Sequence, residues 1–446
     1  MKLWDKGYDI DGFMESFTIG KDRELDVMLA GVDVIGSLAH LKMLHAVGLV
    51  SEDEYKSLQR VLVDIHGIVE RGEFVIEEGV EDVHSQIELL LVRECGDAGK
   101  KIHTGRSRND QILLDLKLFT REAIFETLEY VERLFDLLVQ RAEENKDVLI
   151  PGYTHLQVAM PSSFGLWFSA YAESLADDLL VLKAAYDMVN TNPLGSGAGY
   201  GSSLALDRQM TTDLLGFASL AYNVVYAQIQ RGKMEKNVLL GLAAVATTLG
   251  RLAADVCLFA CSNFGFVRLP NKYTTGSSIM PHKKNPDIFE LIRAKCNYLQ
   301  SLPMQTAMIC TNLTSGYFRD MQLTKELFLP AFRELNDSLF MAHLVLQEME
   351  VKQDVLRDSR YAYIFSVEDV NERVMAGIPF REAYREIGLQ IQEGYYRDRD
   401  RVIHHTHEGS MGNLCLTEIR DKFEQRVSAW DIVTVREAVK DLLENR

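Results

Sequence analysis

The feature that most constrains this chain is the absence of glycine and proline from residues 106–150. Apolar residues recur through this segment at a heptad spacing, at Leu116, Ala123, Tyr130 and Leu137. Apolar residues with this period line one face of an α-helix. A helix of about 35 residues is a rod of roughly 50 Å, which is longer than one compact domain needs. The segment therefore predicts one very long helix with room for several packing partners.

Four later segments share this helical pattern, namely Leu166–Asn190, Lys233–Asn263, Asp287–Thr311 and Gln322–Arg357. Together with the first segment they predict an all-α fold built on an elongated bundle of about five long helices. Shorter helical segments precede and follow this bundle. We expect an N-terminal helical domain at 1–105, a central bundle at 106–360 and a C-terminal helical domain at 361–446. The apolar faces of such long helices suit self-association.

The charge and the apolar content of the chain exclude some classes of partner. The 446 residues carry a formal net charge of −17, whereas nucleic-acid binding depends on concentrated lysine and arginine. The first residues lack the apolar segment of a signal peptide, so we expect a cytoplasmic protein. The most apolar stretch, Val238–Ala260, is interrupted by Arg251 and Asp255. We expect a buried core helix there rather than a membrane span.

Two motifs lack the context that their function would need. Gly195–Gly201 has the glycine density of a dinucleotide-binding loop, but no strand or βαβ pattern surrounds it. The cluster His404-His-Thr-His407 lacks carboxylate or thiol partners at a metal-binding spacing, so we expect a surface loop. The sequence therefore predicts neither a metal nor a cofactor.

Polar residues concentrate in the loops between the predicted long helices. The most informative loop reads Gly276-Ser-Ser-Ile-Met-Pro-His-Lys-Lys-Asn-Pro286. It places hydroxyls, two lysines and an amide next to a helix N-terminus, which itself favours anions. On residue types alone, a Gly-Ser linker with solvated lysines and Asn285 as a helix cap is an equally good interpretation.

The order of the residues in this loop is more specific than their types. It resembles the GSSxMPxKxNP signature of the fumarase/aspartase superfamily, whose members cleave C–N or C–O bonds and release fumarate. Two other loops, HTGRSRNDQ at 103–111 and GYTHLQ at 152–157, are similar to those of the argininosuccinate lyases in that superfamily. Fumarases and adenylosuccinate lyases carry other sequences in the first of these loops. The resemblance extends from Asp33 to Lys325.

This resemblance implies a reaction and an assembly. The reaction is the reversible elimination of argininosuccinate to arginine and fumarate, the last step of arginine biosynthesis, through an aci-carboxylate intermediate. The implied base is Ser277, with Ser278 as the alternative, and Lys283 is the implied cation that holds the intermediate. The family forms a homotetramer in which three subunits contribute to each active site.

The remaining site residues are also implied by position in the family motifs. His155 is implied as the proton donor to the leaving nitrogen and Glu290 as its acidic partner. The dicarboxylate half of the substrate is assigned to Ser107, Arg108, Asn109 and Thr154, and Asn285 is implied as a neutral hydrogen-bond donor to the intermediate beside Lys283. The arginine half is assigned to Tyr317, Gln322 and Lys325.

The sequence departs from the family pattern near its N-terminus. The usual opening is replaced by Leu3-Trp-Asp-Lys-Gly-Tyr8, and a serine that touches substrate in the family is absent from Phe17-Thr-Ile-Gly20. Thr18 is the candidate replacement. Asp82 and His84 match a family stretch, with a structural and a binding role both open.

Two other functions are considered. One is another fumarate-releasing lyase, such as one acting on adenylosuccinate, and the other is a catalytically silent, crystallin-like relative. The presence of Ser277, Lys283, His155 and Glu290 favours an active enzyme.

Overall fold

The structure is a computed structural model that describes residues 12–397 and 402–444, so the opening at 3–8 lies outside the described residues. The N-terminal part is helical, with α1 (Gly12–Ile19), α2 (Asp22–Asp26), α3 (Ala30–Ala46), α4 (Glu52–Glu70) and α5 (Val83–Cys95). Short 3₁₀ turns follow α2 at Val27–Leu29 and α5 at Gly96–His103. Helices α3, α4 and α5 enclose an apolar cluster of their own that includes Leu38, Leu58, Leu62 and Ile87.

Five long helices form the centre of the described chain, as the sequence predicted. They are α6 (Arg108–Glu144), α7 (Phe164–Val189), α10 (Lys233–Ala260), α11 (Asp287–Ile309) and α12 (Thr324–Glu348). Two short helices, α8 (Arg208–Leu214) and α9 (Val224–Ile229), lie between α7 and α10 in sequence. Helix α6 packs on α7 and α12, α10 packs on α7 and α11, and α11 packs on α12, which closes the ring. The predicted all-α fold with a central long-helix bundle is confirmed.

Helix α6 is the longest helix of the described residues, and a cap defines each of its ends. Its first turn carries a capping box, in which Ser107 accepts a hydrogen bond from the backbone and Asp110 accepts one from the Ser107 N–H. The helix then continues without a breaker to the cap at Asn145. The Thr127 hydroxyl donates to Asn336 Oδ1 at 2.8 Å, which joins α6 to α12 inside the core. The predicted apolar stripe thus meets two neighbouring helices.

The C-terminal part of the described chain contains four further helices. They are α13 (Ser366–Met375), α14 (Phe380–Gln392), α15 (Leu416–Val427) and α16 (Ile432–Leu443). Helix α15 contacts α7 and α6, and the Phe423 ring stacks on Phe135 with centroids 3.8 Å apart. His404 and His407 are exposed in the loop before α15. The division of the chain at 105 and 360 stays a prediction.

The structure corrects the sequence analysis at one predicted loop. Residues 149–163 form an antiparallel hairpin of β1 (Leu149–Thr154) and β2 (Gln157–Ser163). Pro151 pairs with Pro161, and a two-stranded hairpin tolerates them because both of its strands are edges. Two-residue pairings elsewhere join β3 (Thr191–Asn192) to β4 (Ser219–Leu220) and β5 (Val267–Arg268) to β6 (Glu350–Val351).

Two helical segments are long and apolar enough to cross a membrane by length and composition alone, Asp22–Ala46 and Lys233–Ala260. In their most apolar windows, 72% and 61% of the residues are buried inside the fold. Leu242, Val245 and Leu249 of α10 belong to the main apolar core. This burial accounts for the composition of α10, which is the core helix that the sequence predicted.

Removal of the Phe135 ring tests the packing of α15 on the bundle. Phe135 is 1% exposed, so Phe135→Ala leaves a cavity between α6 and α15 and should lower the free energy of unfolding by about 3–5 kcal/mol. Val433→Ala on α16, at a side chain that is 68% exposed, is the control and should cost less than about 0.5 kcal/mol. Urea titrations of both variants give the values. Equal effects would contradict this packing.

Candidate functional site

One cavity of about 230 Å³ lies where the start of α6 meets α2, the start of α5 and the segment before α12. Its wall includes five of the residues assigned to substrate binding, namely Arg108, Asn109, Tyr317, Gln322 and Lys325. These residues come from two stretches of sequence that are more than 200 positions apart, and the fold brings them together. Ser107 lies beside this wall as the cap of α6 and is not part of it.

The cations of this cavity are already paired with carboxylates. The Arg108 guanidinium donates to Glu81 Oε2 at 2.9 Å and to Ser85 Oγ at 2.9 Å, and it lies 3.2 Å from Asp82 Oδ2. Arg319 lies 3.3 Å from the other oxygen of Glu81. A substrate carboxylate would therefore have to share or exchange these partners.

Lys325 is held in the same way at the back of the cavity. Its ammonium lies 2.6 Å from Asp22 Oδ1 and 2.7 Å from Asp26 Oδ1, and the side chain is 5% exposed. The Gln322 amide donates to the backbone carbonyls of Thr18 and Ile19 at 2.9 and 3.1 Å and accepts from Arg319. Gln322 thus fixes the corner between α1 and α2 against the cavity. The Thr18 hydroxyl donates to Met14 O, and Thr18 is not on the wall.

A second group of predicted site residues lies on the β1–β2 hairpin and on the loop at 276–286 that carries the GSSxMPxKxNP-like motif, here called the signature loop. Thr154 and His155 are at the exposed tip of the hairpin. His155 and Leu156 form its two-residue turn with φ of 53° and 60°, the left-handed backbone that such turns require. Residues other than glycine rarely adopt this conformation, so the turn holds the backbone of His155 and Leu156 in a strained conformation.

The signature loop is fastened at its base. Thr275 and Asn285 pair through their backbones, with Asn285 N–H donating to Thr275 O at 2.9 Å. The Asn285 side chain donates to Thr275 Oγ1 and to Gly276 O, so this amide serves the loop itself. Beyond the base, the half-buried Ser277 Oγ accepts from the backbone of Met280 at 3.2 Å, and Lys283 is exposed. Glu290 is exposed on the first turn of α11. No hydrogen bond or ion pair joins it to His155 within the described residues of one chain.

These two groups lie at opposite ends of the bundle. Helix α10 begins beside the start of α6, where Lys117 Nζ donates to Gln230 Oε1 at 2.8 Å, and ends near the start of α7, where Trp167 donates to Asp255. The signature loop follows α10 and the hairpin follows α6, so both lie at the far end. Helix α6 has 37 residues and is about 55 Å long, and one chain cannot close this distance around one substrate.

Comparison with known proteins identifies the family. A family model described as lyase matches residues 8–300. The argininosuccinate lyase of Bacteroides fragilis is 59% identical over 442 residues, which cover 99% of each chain. That of Thermotoga neapolitana is 38% identical and covers 90% of this chain and 99% of its own. The chain belongs to the argininosuccinate lyase family.

A solved relative extends this result to the fold. The crystal structure of EDDS lyase in complex with formate has a TM-score of 0.77 and 19% sequence identity, and the match covers 98% of this chain and 95% of that one. At this identity the likeness shows the fold alone. The family model and the curated relatives confirm the fumarase/aspartase superfamily that the signature loop indicated.

The sequence analysis missed most of the acidic wall of the cavity, to which Asp22, Asp26 and Glu81 contribute. Asp82 and His84, whose roles the sequence left open, also line the cavity, and the Asp82 side chain caps α5. Burial raises the pKa of Asp22 to about 6, although the nearby Lys325 ammonium opposes the shift. The stretch Asp22-Arg-Glu-Leu-Asp26 reads like a solvated helix surface in sequence. Only its contact with Lys325, about 300 residues later, marks it as part of the site.

A buried network behind the cavity has the residue types of a metal site. Ligand atoms of Asp33, His84 and Asp115 lie within 4.8 Å of one another. However, His84 Nδ1 is hydrogen-bonded to Asp33, and the Arg106 guanidinium supplies positive charge beside it. Burial and the neighbouring Asp33 raise the pKa of Asp115 well above its usual range. The geometry is that of a hydrogen-bonded network that supports His84 at the cavity wall.

The glycine-rich loop at 195–201 has a structural role at the start of α6. The buried Asp110 carboxylate accepts hydrogen bonds from the N–H groups of Gly195 at 3.0 Å, Gly197 at 2.8 Å and Ser107 at 2.8 Å. Gly195 has a φ of 79°, and a Cβ there would lie 2.8 Å from Arg208 Cγ, so only glycine is tolerated. Asp110 therefore ties the glycine-rich loop to the first turn of α6, which carries Arg108 and Asn109 on the cavity wall.

The titration of Asp110 gives a test of this anchor. Burial raises the pKa of Asp110 to about 6 even though backbone N–H groups oppose the shift. Because the folded pKa lies above the ordinary value of 3.8, this group stabilises the fold fully below about pH 4, and that contribution is lost as the pH rises through 6. Asp110→Asn does not titrate. The excess stability of the wild type over this variant should therefore fall by about 1–3 kcal/mol between pH 4 and pH 7. Urea titrations at each pH give the free energy of unfolding of both proteins. If this free energy changed with pH in the same way for the wild type and for Asp110→Asn, the raised pKa of Asp110 would be contradicted.

Proposed function

We propose that this member of the argininosuccinate lyase family cleaves argininosuccinate into arginine and fumarate, and that it does so in the cytoplasm. The observation that carries the proposal is the convergence of Arg108, Asn109, Tyr317 and Lys325 on one cavity. The two sequence stretches that meet there match the family's motifs independently. The cavity offers both cations and carboxylates, as a substrate that carries charges of both signs requires.

The proposed reaction begins with the removal of a proton from the substrate carbon next to a carboxylate. Ser277 Oγ takes this proton as an alkoxide, and the C–H electron pair moves into the carboxyl group to give the aci-carboxylate. The Lys283 ammonium and the start of α11 stabilise its two negative charges. Closure of the signature loop brings these groups to the substrate and expels water, and this lets Ser277 ionise. The open, exposed position of Lys283 is consistent with a loop that closes.

The second step breaks the C–N bond. The electron pair of the intermediate forms the C=C bond of fumarate, and the leaving guanidinium nitrogen takes a proton from His155. Overall, one proton moves from carbon to nitrogen, and arginine and fumarate are released. Glu290 is assigned as the partner that fixes the tautomer of His155 and raises its proton affinity. We assign this contact to neighbouring subunits because both residues are exposed in the single chain.

We propose that the protein works as a homotetramer with shared active sites. The two groups of site residues are separated by the length of α6, so a complete site needs hairpins and signature loops from other subunits. Large apolar side chains are exposed along the bundle at Leu240, Leu291, Tyr298, Met304, Met308 and Phe340. Such side chains on long helices are typical of a buried subunit interface.

Replacement of the proposed base tests the reaction. Ser277→Ala should lower the kcat for fumarate release from argininosuccinate by about 10²–10⁴-fold, because the proton has no acceptor, while the fold and assembly persist. Ser278→Ala is the matched control and should retain most of the turnover. The absorbance of fumarate gives the rate, and light scattering gives the mass.

The opposite result for the two serines would move the base to Ser278. No fumarate from argininosuccinate with the wild-type protein would reject the proposed function. Fumarate from adenylosuccinate instead would identify a different lyase, and none from either substrate would identify a catalytically silent relative.

A further inference from the structure

Lys325 contacts two carboxylates, although one carboxylate is enough to neutralise its charge. Asp26 is 3% exposed and lies 2.7 Å from the ammonium, so it alone neutralises the buried charge. Asp22 adds a second carboxylate at 2.6 Å, and at 18% exposed it is the more accessible of these two carboxylates on the cavity wall. The group of three therefore carries one surplus negative charge, and that charge faces the cavity.

Asp22 is held in place from both sides. Its neighbour Lys21 forms an ion pair with Glu326 at 3.0 Å, and Arg23 Nε donates to Val80 O at 2.9 Å. The amide of Gln322 binds the carbonyls at the end of α1, just before this segment. The backbone around Asp22 is thus tied at three points, and a preorganised backbone of this kind is what a selective binding group requires.

The charges beside Asp22 match one part of the proposed substrate. Arg319 is close enough to influence Asp22, is 55% exposed and lies on the same wall. A carboxylate and a guanidinium side by side complement the ammonium and carboxylate of an α-amino acid. The arginine end of argininosuccinate has such a group, whereas the succinate end has only carboxylates. A phosphate in this position, as in a nucleotide substrate, would meet the surplus negative charge.

We propose that Asp22 is a specificity-determining residue that binds the α-ammonium group at the arginine end of the substrate. This assignment rests on the proposed function. The substrate ammonium takes the outer side of the carboxylate, while Lys325 and Asp26 remain paired behind it. The surplus charge is thereby neutralised only by a ligand that carries a cation at this point.

Inhibition by product analogues tests this assignment. L-Arginine and 5-guanidinopentanoic acid differ only in the α-amino group, and each is tested as an inhibitor of fumarate release. With the wild type, arginine should inhibit at least 10-fold more strongly, because a hydrogen bond to a charged group of this kind is worth about that factor or more. Equal inhibition by the two compounds would overturn the proposal without any variant.

The matched variant is Asp22→Asn, which keeps the size of the side chain and a polar contact with Lys325. The inhibition constant of arginine should rise about 10–100-fold, while that of 5-guanidinopentanoic acid should change less than threefold. Asp22→Glu should recover part of the difference. An equal rise for both compounds would assign Asp22 to positioning Lys325 instead, and no change for either would remove it from the site.

The same two compounds distinguish an error in the proposed reaction from an error in the role proposed for Asp22. If the wild type released no fumarate, calorimetric titration with the same two compounds would still measure the preference for the α-amino group. Loss of activity with an intact preference rejects the reaction, whereas intact activity with no preference rejects Asp22.

Discussion

The rigid length of α6 governs the rest of the structure. An uninterrupted helix of 37 residues places the cavity at its start and the hairpin and signature loop beyond its end, about 55 Å away. The helix is fixed in the core by side chains along its whole length, including the buried Leu116, Leu128 and Leu138. Bending cannot bring the ends together, so in the proposed mechanism the two groups meet only between chains. Oligomerisation would then be a requirement of the proposed reaction and not an addition to it.

A second constraint is that the charges at the cavity are paired before any ligand arrives. Arg108 and Lys325 each contact two carboxylates, and removing either partner would leave a charge in a poorly solvated position. Such pairing keeps an incomplete site stable in the isolated chain. It also sets selectivity, because a ligand has to offer charges of both signs in the right order to bind beside these pairs.

Much of this arrangement could be predicted from the sequence, for identifiable reasons. The five long helices follow from breaker-free apolar periodicity, and the family follows from the order of residues in the loops at 103–111 and 276–286. The β1–β2 hairpin was missed because its strands are short and contain Pro151 and Pro161. Asp22 and Asp26 were missed because an acidic stretch near the N-terminus has no local signal of its contact with Lys325. Contacts between distant segments, and between subunits, leave no trace in a local pattern.

The most direct test of the central claim is complementation between two inactive variants. Arg108→Ala affects the cavity and Ser277→Ala affects the signature loop, so a mixed assembly can contain sites in which neither change is present. We predict that co-assembly restores a substantial fraction of fumarate-releasing activity, whereas mixing Ser277→Ala with Lys283→Ala, on the same loop, restores none. Mass spectrometry of the intact assemblies verifies the mixing. Verified mixed assemblies of Arg108→Ala and Ser277→Ala that stay inactive would contradict the account.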